Sequence, residues 1–128
     1  MSILVVDDEA PVRAVVMAIL EDTQYNVIGA ANGRDAVACL RRQPGRFQLV
    51  LLDIMMPYMS GWDVLGAIQA QPALASIPVV IMTAGANMYQ QALERGAAGY
   101  LSKPLDFDRL LDIAEHFCPN EQQAGASL

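Results

Sequence analysis

The hydrophobic positions along the chain switch repeatedly between two periods. Short continuous apolar runs, rich in β-branched side chains, predict strands that are buried on both faces. Between these runs, apolar residues recur every three or four positions, which is the spacing of one helix face. The predicted strands are 3–6, 26–30, 47–52, 78–82 and 99–102. Strands alternating with helices predict an α/β fold, with a parallel sheet, right-handed crossovers and helices on both faces.

The predicted helices are bounded by prolines and glycines. The first, which begins near Pro11, has an apolar stripe made of Val12, Val15, Val16, Ile19 and Leu20. The last has one made of Phe107, Leu110, Leu111, Ala114 and Phe117. The second helix is expected to end near Pro44, and Trp62 begins the stripe of the third. The fourth is predicted to run from about Asn87 to Arg95, because Gly96 follows.

The length and composition fit one compact domain. At 128 residues, we expect a single domain over residues 1–118 and a flexible C-terminal tail over 119–128 that is too short for an effector domain. The chain is 54% hydrophobic and 17% charged, which is typical of a globular protein and not of a disordered one.

Charge and hydropathy indicate which kinds of partner the chain binds and where in the cell it is located. The formal net charge of −6 argues against direct binding of nucleic acid or of an anionic membrane, which favour a basic face. Because no apolar run resembles a signal peptide or approaches membrane-spanning length, we expect a cytoplasmic protein. Cys39 and Cys118 show no CxxC or metal-ligand spacing, so they are expected to be reduced thiols.

Candidate site residues, all of them polar except Ala84, directly follow four of the five predicted strands. They are Asp7 and Asp8 after the first strand, Asp53 after the third, Thr83 and Ala84 after the fourth, and Lys103 after the fifth. Ligands of open parallel sheets bind at the carboxyl ends of the strands, so these side chains are expected to converge. Any one of the acids could simply cap the segment that follows it, but the whole set favours a functional site.

Three carboxylates at one sheet edge repel one another, so either one of them is protonated or a cation neutralises them. Oxygen ligands favour a hard divalent cation. Mg²⁺ uses only one or two carboxylates and keeps room for a phosphate oxygen. An aspartate can act as the nucleophile in phosphoryl transfer, supported by a metal, a lysine and a hydroxyl donor. The sequence therefore predicts an acyl phosphate on Asp53.

Four separated motifs resemble the receiver domain of bacterial two-component response regulators, in particular the stand-alone members. In chain order they are VVDDE, LLDIMMPYMSG, IMTAG and YLSKP, and the resemblance covers residues 1–118. It implies a doubly wound, flavodoxin-like (βα)5 fold with strand order 2-1-3-4-5. It also implies that a sensor histidine kinase donates a phosphoryl group to Asp53, in a phosphorelay that signals to a protein.

The resemblance assigns roles within the site. Asp8 and Asp53 would ligate Mg²⁺, with Asp7 acting mainly through water and the backbone carbonyl of Met55 as a further ligand. The Thr83 hydroxyl would hydrogen-bond the phosphoryl group. Lys103 would pair with the phosphoryl group, and Ala84 would contribute to binding the cofactor.

The resemblance also implies a switch. Tyr100 matches the aromatic residue that turns inward when Thr83 moves toward the phosphoryl group, although it could be a half-buried strand residue and no more. Pro104 matches a proline that follows a cis peptide bond. The implied output face comprises the fourth helix, fifth strand and fifth helix, and phosphorylation could dimerise the chain. Candidate output residues are Met88, Tyr89 and Gln91, for which core packing is the alternative.

Two residues of this chain predict a long-lived phosphorylated state. Met55 and Gly85 each lie two positions after a site residue, and in the family these positions flank the path of the attacking water. Neither a methionine nor a glycine offers a side-chain group that orients water. We therefore expect slow loss of phosphate.

Two other functions are alternatives to that of a receiver. A phosphatase or phosphotransferase of the haloacid-dehalogenase type, acting on a small molecule, usually carries a second aspartate two residues after the nucleophile, where this chain has Met55. A flavodoxin-like cofactor binder needs a phosphate loop after the first strand, where Asp7, Asp8 and Glu9 would repel phosphate. We therefore expect no enzyme activity beyond the chain's own phosphorylation and dephosphorylation.

Overall fold

The computed structural model describes residues 1–85 and 88–119. The strands are β1 (Ser2–Val6), β2 (Asn26–Ala30), β3 (Phe47–Asp53), β4 (Val79–Thr83) and β5 (Gly99–Ser102). The helices are α1 (Ala10–Asp22), α2 (Gly33–Arg42), α3 (Gly61–Gln69), α4 (Tyr89–Glu94) and α5 (Phe107–Phe117), with a 3-10 turn at Pro44–Arg46. The predicted alternation of strands and helices is confirmed.

All the strands are parallel, in the order β2-β1-β3-β4-β5. The expected fold class and strand order are therefore confirmed. The chain leaves β1 to form β2 on one side and returns to form β3 on the other. This reversal opens a crevice at the carboxyl ends of β1 and β3, which is where parallel sheets bind ligands.

The central strand β3 is buried on both faces. Because strand side chains alternate between faces, Leu49 and Leu51 contribute to one core layer and Val50 and Leu52 to the other. All four are fully buried. This two-sided packing holds Asp53, the last residue of β3, in a fixed position at the sheet edge.

Two predicted helix faces need correction at their margins. Phe107, expected in the buried stripe of α5, is 51% exposed, whereas Leu110 and Ala114 are fully buried. Phe107 is the first residue of its helix and lines a groove against α1 instead of the sheet. Val15, expected in the stripe of α1, is 48% exposed, because the predicted stripe is wider than the surface that covers it.

The fourth helix is shorter than predicted over its described residues, and the predicted C-terminal tail lies almost wholly outside the described residues. The helix α4 begins at Tyr89, and the predicted start at Asn87 lies outside the described residues. Gly96 follows α4 with φ of +89°, a conformation that favours glycine. Of the predicted tail 119–128, only Pro119 belongs to the described residues. No helix in the described ranges is long and apolar enough to cross a membrane.

Candidate functional site

The crevice collects buried polar side chains. Asp7, Asp53 and Thr83 are each at most 2% exposed, and apart from Ser2 they are the buried polar residues of the described chain. Buried charges require partners. Their concentration at the carboxyl ends of β1, β3 and β4 marks this edge as the candidate site.

Lys103 neutralises part of this charge. Its Nζ lies 2.8 Å from Oδ2 of Asp7 and 3.4 Å from Oδ2 of Asp53. The lysine thus joins the ends of β1, β3 and β5. A single ammonium shared by two carboxylates leaves the site with a net negative charge.

Four carboxylates form one cluster in the crevice. Each of Asp7, Asp8, Glu9 and Asp53 can place one carboxylate oxygen within 4.8 Å of those of the others. Asp8 and Glu9 are exposed and line the rim, while Asp7 and Asp53 are buried. Sequence reasoning left Glu9 out of the ligand set, although a third consecutive acid after β1 was the signal.

Hydrogen bonds hold the acidic loop in place. The backbone N–H of Glu9 donates to Oδ1 of Asp7 over 2.9 Å, and Arg13 Nη1 donates to the backbone carbonyl of Asp7 over 2.7 Å. On the other side of the crevice, the backbone N–H of Met55 donates to Oδ1 of Asp53 over 3.2 Å. The carboxylates of Asp7 and Asp53 are thus oriented before any ligand binds, and an all-oxygen donor set fits a hard divalent cation.

Burial dominates the electrostatics of Asp53. Removal from water is the largest cause that raises its pKa, and the charge of Asp7 adds to it; the charge of Lys103 opposes the rise, and the resulting pKa is about 6. Burial alone would lower the pKa of Lys103, but its hydrogen bond to Asp7 and the charge of Asp53 leave that pKa above its ordinary value. A bound divalent cation would favour the ionised form of Asp53.

Thr83 connects the crevice to Tyr100 through the backbone of Gly85. The Thr83 hydroxyl donates to Met88 Sδ over 3.8 Å and accepts from the Gly85 N–H over 3.0 Å. The Tyr100 hydroxyl donates to the Gly85 carbonyl over 2.8 Å. Ala84, next to Thr83, is exposed. The Tyr100 hydroxyl therefore bonds to the same glycine as the Thr83 hydroxyl, and its role as a switch stays a prediction.

The candidate output residues differ in their surroundings. Tyr89 is 58% exposed and contacts the Tyr100 ring edge-on, with ring centroids 6.0 Å apart. Met88 and Gln91 are half-buried, and Met88 packs against the core. Beside them, a cleft of about 380 Å³ between α4, β5 and α5 is lined in part by Tyr89, Tyr100, Arg109, Asp112 and His116.

The Lys103–Pro104 peptide bond is cis, as the resemblance implies.

Sequence comparisons point to one family. A family profile described as the response regulator receiver domain matches residues 3–115. The transcriptional regulatory protein ZraR of Salmonella typhimurium is 42% identical to this chain. The aligned region includes 98% of this chain and 28% of ZraR. This chain thus spans less than a third of that relative. An uncharacterized 14.6 kDa protein of Leptolyngbya boryana is 33% identical, over 92% of this chain and 90% of its own length.

Solved structures of the same fold include two of similar size. The chemotaxis response regulator CheY4 of Vibrio cholerae superposes with a TM-score of 0.80 at 31% identity, covering 91% of this chain and 97% of CheY4. The receiver domain of the sensor histidine kinase PA1611 of Pseudomonas aeruginosa superposes with a TM-score of 0.82 at 30% identity. The superposition covers 91% of this chain and 95% of the PA1611 receiver domain. The PA1611 receiver domain holds a magnesium ion in its active-site cleft.

Proposed function

Since this chain belongs to the family of response regulator receiver domains, we propose that it accepts a phosphoryl group on Asp53 and thereby switches a protein-interaction face. The observation that carries this proposal is the buried Asp53 carboxylate, placed at the end of the central strand, 3.4 Å from Lys103 and inside a cluster of carboxylates. Because the family is one of response regulators, the proposed role is signalling and not turnover of a small molecule.

The chemistry proposed for Asp53 is nucleophilic attack on phosphorus. A carboxylate oxygen of Asp53 forms the new O–P bond as the N–P bond of a phosphohistidine breaks, and the imidazole nitrogen leaves with the electron pair and takes up a proton. With a pKa of about 6, Asp53 is mostly ionised at neutral pH and is available as the nucleophile. The packing of β3 keeps its carboxylate oriented toward the crevice.

The proposed metal ligands are Asp8, Asp53 and the backbone carbonyl of Met55, with Asp7 acting mainly through water. The all-oxygen cluster supports this set, and Glu9 extends it at the rim. When bound, Mg²⁺ would neutralise the carboxylates and stabilise the charge on the phosphoryl oxygens. The magnesium ion in the PA1611 receiver domain supports the same choice of cation.

Lys103, Thr83 and Ala84 are proposed to complete the phosphoryl site. The Lys103 ammonium is held by Asp7 and Asp53 and can pair with a phosphoryl oxygen by a small displacement. The Thr83 hydroxyl would donate to a second oxygen, and Ala84 would line the site beside it. Once Thr83 moves, Tyr100 would leave Gly85 and turn inward, which alters the face formed by α4, β5 and α5.

A sensor histidine kinase is the proposed phosphodonor, and a downstream protein or phosphotransfer partner is the proposed reader of that face. Met88, Tyr89 and Gln91 remain the candidate contacts, and phosphorylation-dependent dimerisation through the same face remains a prediction. So does a cytoplasmic location. The haloacid-dehalogenase alternative has no support from the comparisons, and Met55 stands where its second aspartate would be.

Intact-mass spectrometry tests the proposal directly. The chain is incubated with Mg²⁺ and a small acyl phosphate, and a mass increase of one phosphoryl unit is expected. Asp53→Asn should abolish the adduct, whereas Asp22→Asn, which removes an exposed acid outside the cluster, should retain it. An adduct of equal yield on the Asp53→Asn variant would contradict the assignment of the phosphoacceptor.

A further inference from the structure

The Thr83 hydroxyl is already engaged on both its donor and its acceptor side. It donates to Met88 Sδ over 3.8 Å and accepts from the backbone N–H of Gly85 over 3.0 Å. The side chain is fully buried, so water does not compete for this hydroxyl. Within residues 1–85 and 88–119, no hydrogen bond joins the Thr83 hydroxyl to Asp53 or Lys103, although the backbone N–H of Lys103 donates to the Thr83 carbonyl over 2.9 Å.

A hydroxyl carries one proton, so it cannot donate to Met88 and to a phosphoryl oxygen at the same time. A thioether is a weak acceptor, whereas hydrogen bonds to an anionic oxygen are roughly twice as strong as neutral ones. The sulfur therefore satisfies a buried donor in the resting protein and releases it readily once a stronger acceptor is present.

Gly85 allows this contact to form. A Cβ at position 85 would lie 2.9 Å from Met88 Cε and 3.1 Å from Met88 Sδ. Any larger residue would displace the methionine from Thr83. The same glycine accepts the hydrogen bond of Tyr100, so the positions of Met88, Thr83 and Tyr100 are linked through one residue.

We propose that Met88 is a positioning residue that holds the Thr83 hydroxyl in its resting orientation and so sets the balance between the resting and phosphorylated states. The inference rests on the proposed role of Thr83 in binding the phosphoryl group. Removing the sulfur acceptor leaves the Thr83 donor unsatisfied only in the resting state. The activated state is then favoured, and ligands specific to it bind more tightly.

The test uses the full chain and beryllium fluoride with Mg²⁺, which mimics a phosphoryl group on the carboxylate. Met88→Leu keeps the volume of the side chain but has no acceptor. Its apparent affinity for beryllium fluoride, measured by isothermal titration calorimetry, is expected to rise about two- to tenfold, the contribution of one hydrogen bond. Met59→Leu is the matched control, because Met59 is also half-buried against the same core but does not contact Thr83.

Two further variants separate positioning from packing. Gly85→Ala displaces the sulfur without changing residue 88 and should raise the affinity in the same direction, which keeps the test open if Met88→Leu does not fold. In a Thr83→Val background, which has no hydroxyl to release, Met88→Leu should have no effect on affinity.

The failure of this inference is distinguishable from that of the proposed function. If beryllium fluoride does not bind the unmodified chain, the proposed function fails. If it binds, and Met88→Leu changes the affinity no more than Met59→Leu does, the role of Met88 is overturned. An equal effect of Met88→Leu with and without the Thr83 hydroxyl would also overturn it.

Discussion

Single residues set the charge balance of the site. Asp7 is fully buried and lies closer to Lys103 than Asp53 does. Lys103 therefore pairs mainly with Asp7, which leaves Asp53 with less compensation for its own burial. A bound divalent cation would complete this neutralisation.

In the absence of divalent cations, the substitution Asp53→Asn is expected to stabilise the protein at pH values above the pKa of Asp53. Burial raises the pKa of Asp53 to about 6, above the ~3.9 of an exposed aspartate in the unfolded chain. The native state therefore binds this proton more tightly, so the wild-type protein loses stability as the pH rises from about 4 through about 6. A pKa difference of about two corresponds to about 3 kcal/mol at most.

Urea unfolding with a chelator present measures this effect. The gain from Asp53→Asn should reach about 2 kcal/mol near pH 8 and vanish near pH 4, below both pKa values. Asp22→Asn, an exposed acid, should change stability little at either pH. A loss of stability in Asp53→Asn near pH 8 would show that Asp53 is not destabilised by burial.

The lifetime of the phosphorylated state is predicted from Met55 and Gly85. The Met55 side chain is 64% exposed at the rim of the crevice, and neither residue carries a group that orients water. We expect slow decay of the phosphorylated chain, and Met55→Asn should accelerate it severalfold by positioning the attacking water. Decay is followed by intact mass after removal of the phosphodonor.

The control for this prediction is Tyr58→Asn, which adds a polar residue to the same exposed loop but not beside Asp53. It should leave the decay rate unchanged. Two results together would contradict the prediction. The phosphorylated wild-type chain would have a half-life of seconds, and a polar residue at position 55 would not change that half-life.

At the scale of secondary structure, contacts at the ends of α3 and α4 stabilise the segments that lie next to the site. The side chain of Ser60 and that of Asp63 form a capping box at the start of α3, directly after the loop that follows Asp53. The guanidinium of Arg95 lies 4.9 Å from the centre of the Trp62 ring, and Gln69 donates to the Arg95 carbonyl over 2.7 Å. These contacts tie α3 to the end of α4.

Ser60→Ala should destabilise the protein by about 1 kcal/mol, because it removes the cap of α3 and leaves a backbone N–H of the first turn without its partner. The change is measured as a shift of the urea midpoint at constant slope. Ser76→Ala, at an exposed serine, should be nearly neutral. Equal stabilities of the two variants would mean that the cap contributes nothing.

For the whole molecule, cation binding should be visible as added stability. A ligand that binds only the native state stabilises it by RT ln(1 + [L]/Kd), or about 2.7 kcal/mol at a hundredfold excess over Kd. The melting temperature should therefore rise with Mg²⁺ concentration at constant ionic strength. Asp8→Asn should reduce this rise, and Asp22→Asn should retain it. An identical rise in both variants would place the cation elsewhere.

By itself, the sequence determined the succession of elements, the buried central strand, and the acids, hydroxyl and lysine at the strand ends. These features follow from local periodicity and from the fact that parallel strands end at one edge. The exposure of Phe107 was predicted wrongly, because periodicity defines a helix face but not how much of it a neighbour covers.

Only the tertiary structure decided the contacts between segments. It placed Lys103 against Asp7, which is 96 residues away in the chain, added Glu9 to the carboxylate cluster, and set the sulfur of Met88 beside Thr83. Such distances depend on how loops and helices pack over the sheet edge. No local pattern of residues specifies that packing, so the partners of each side chain in the site had to be observed.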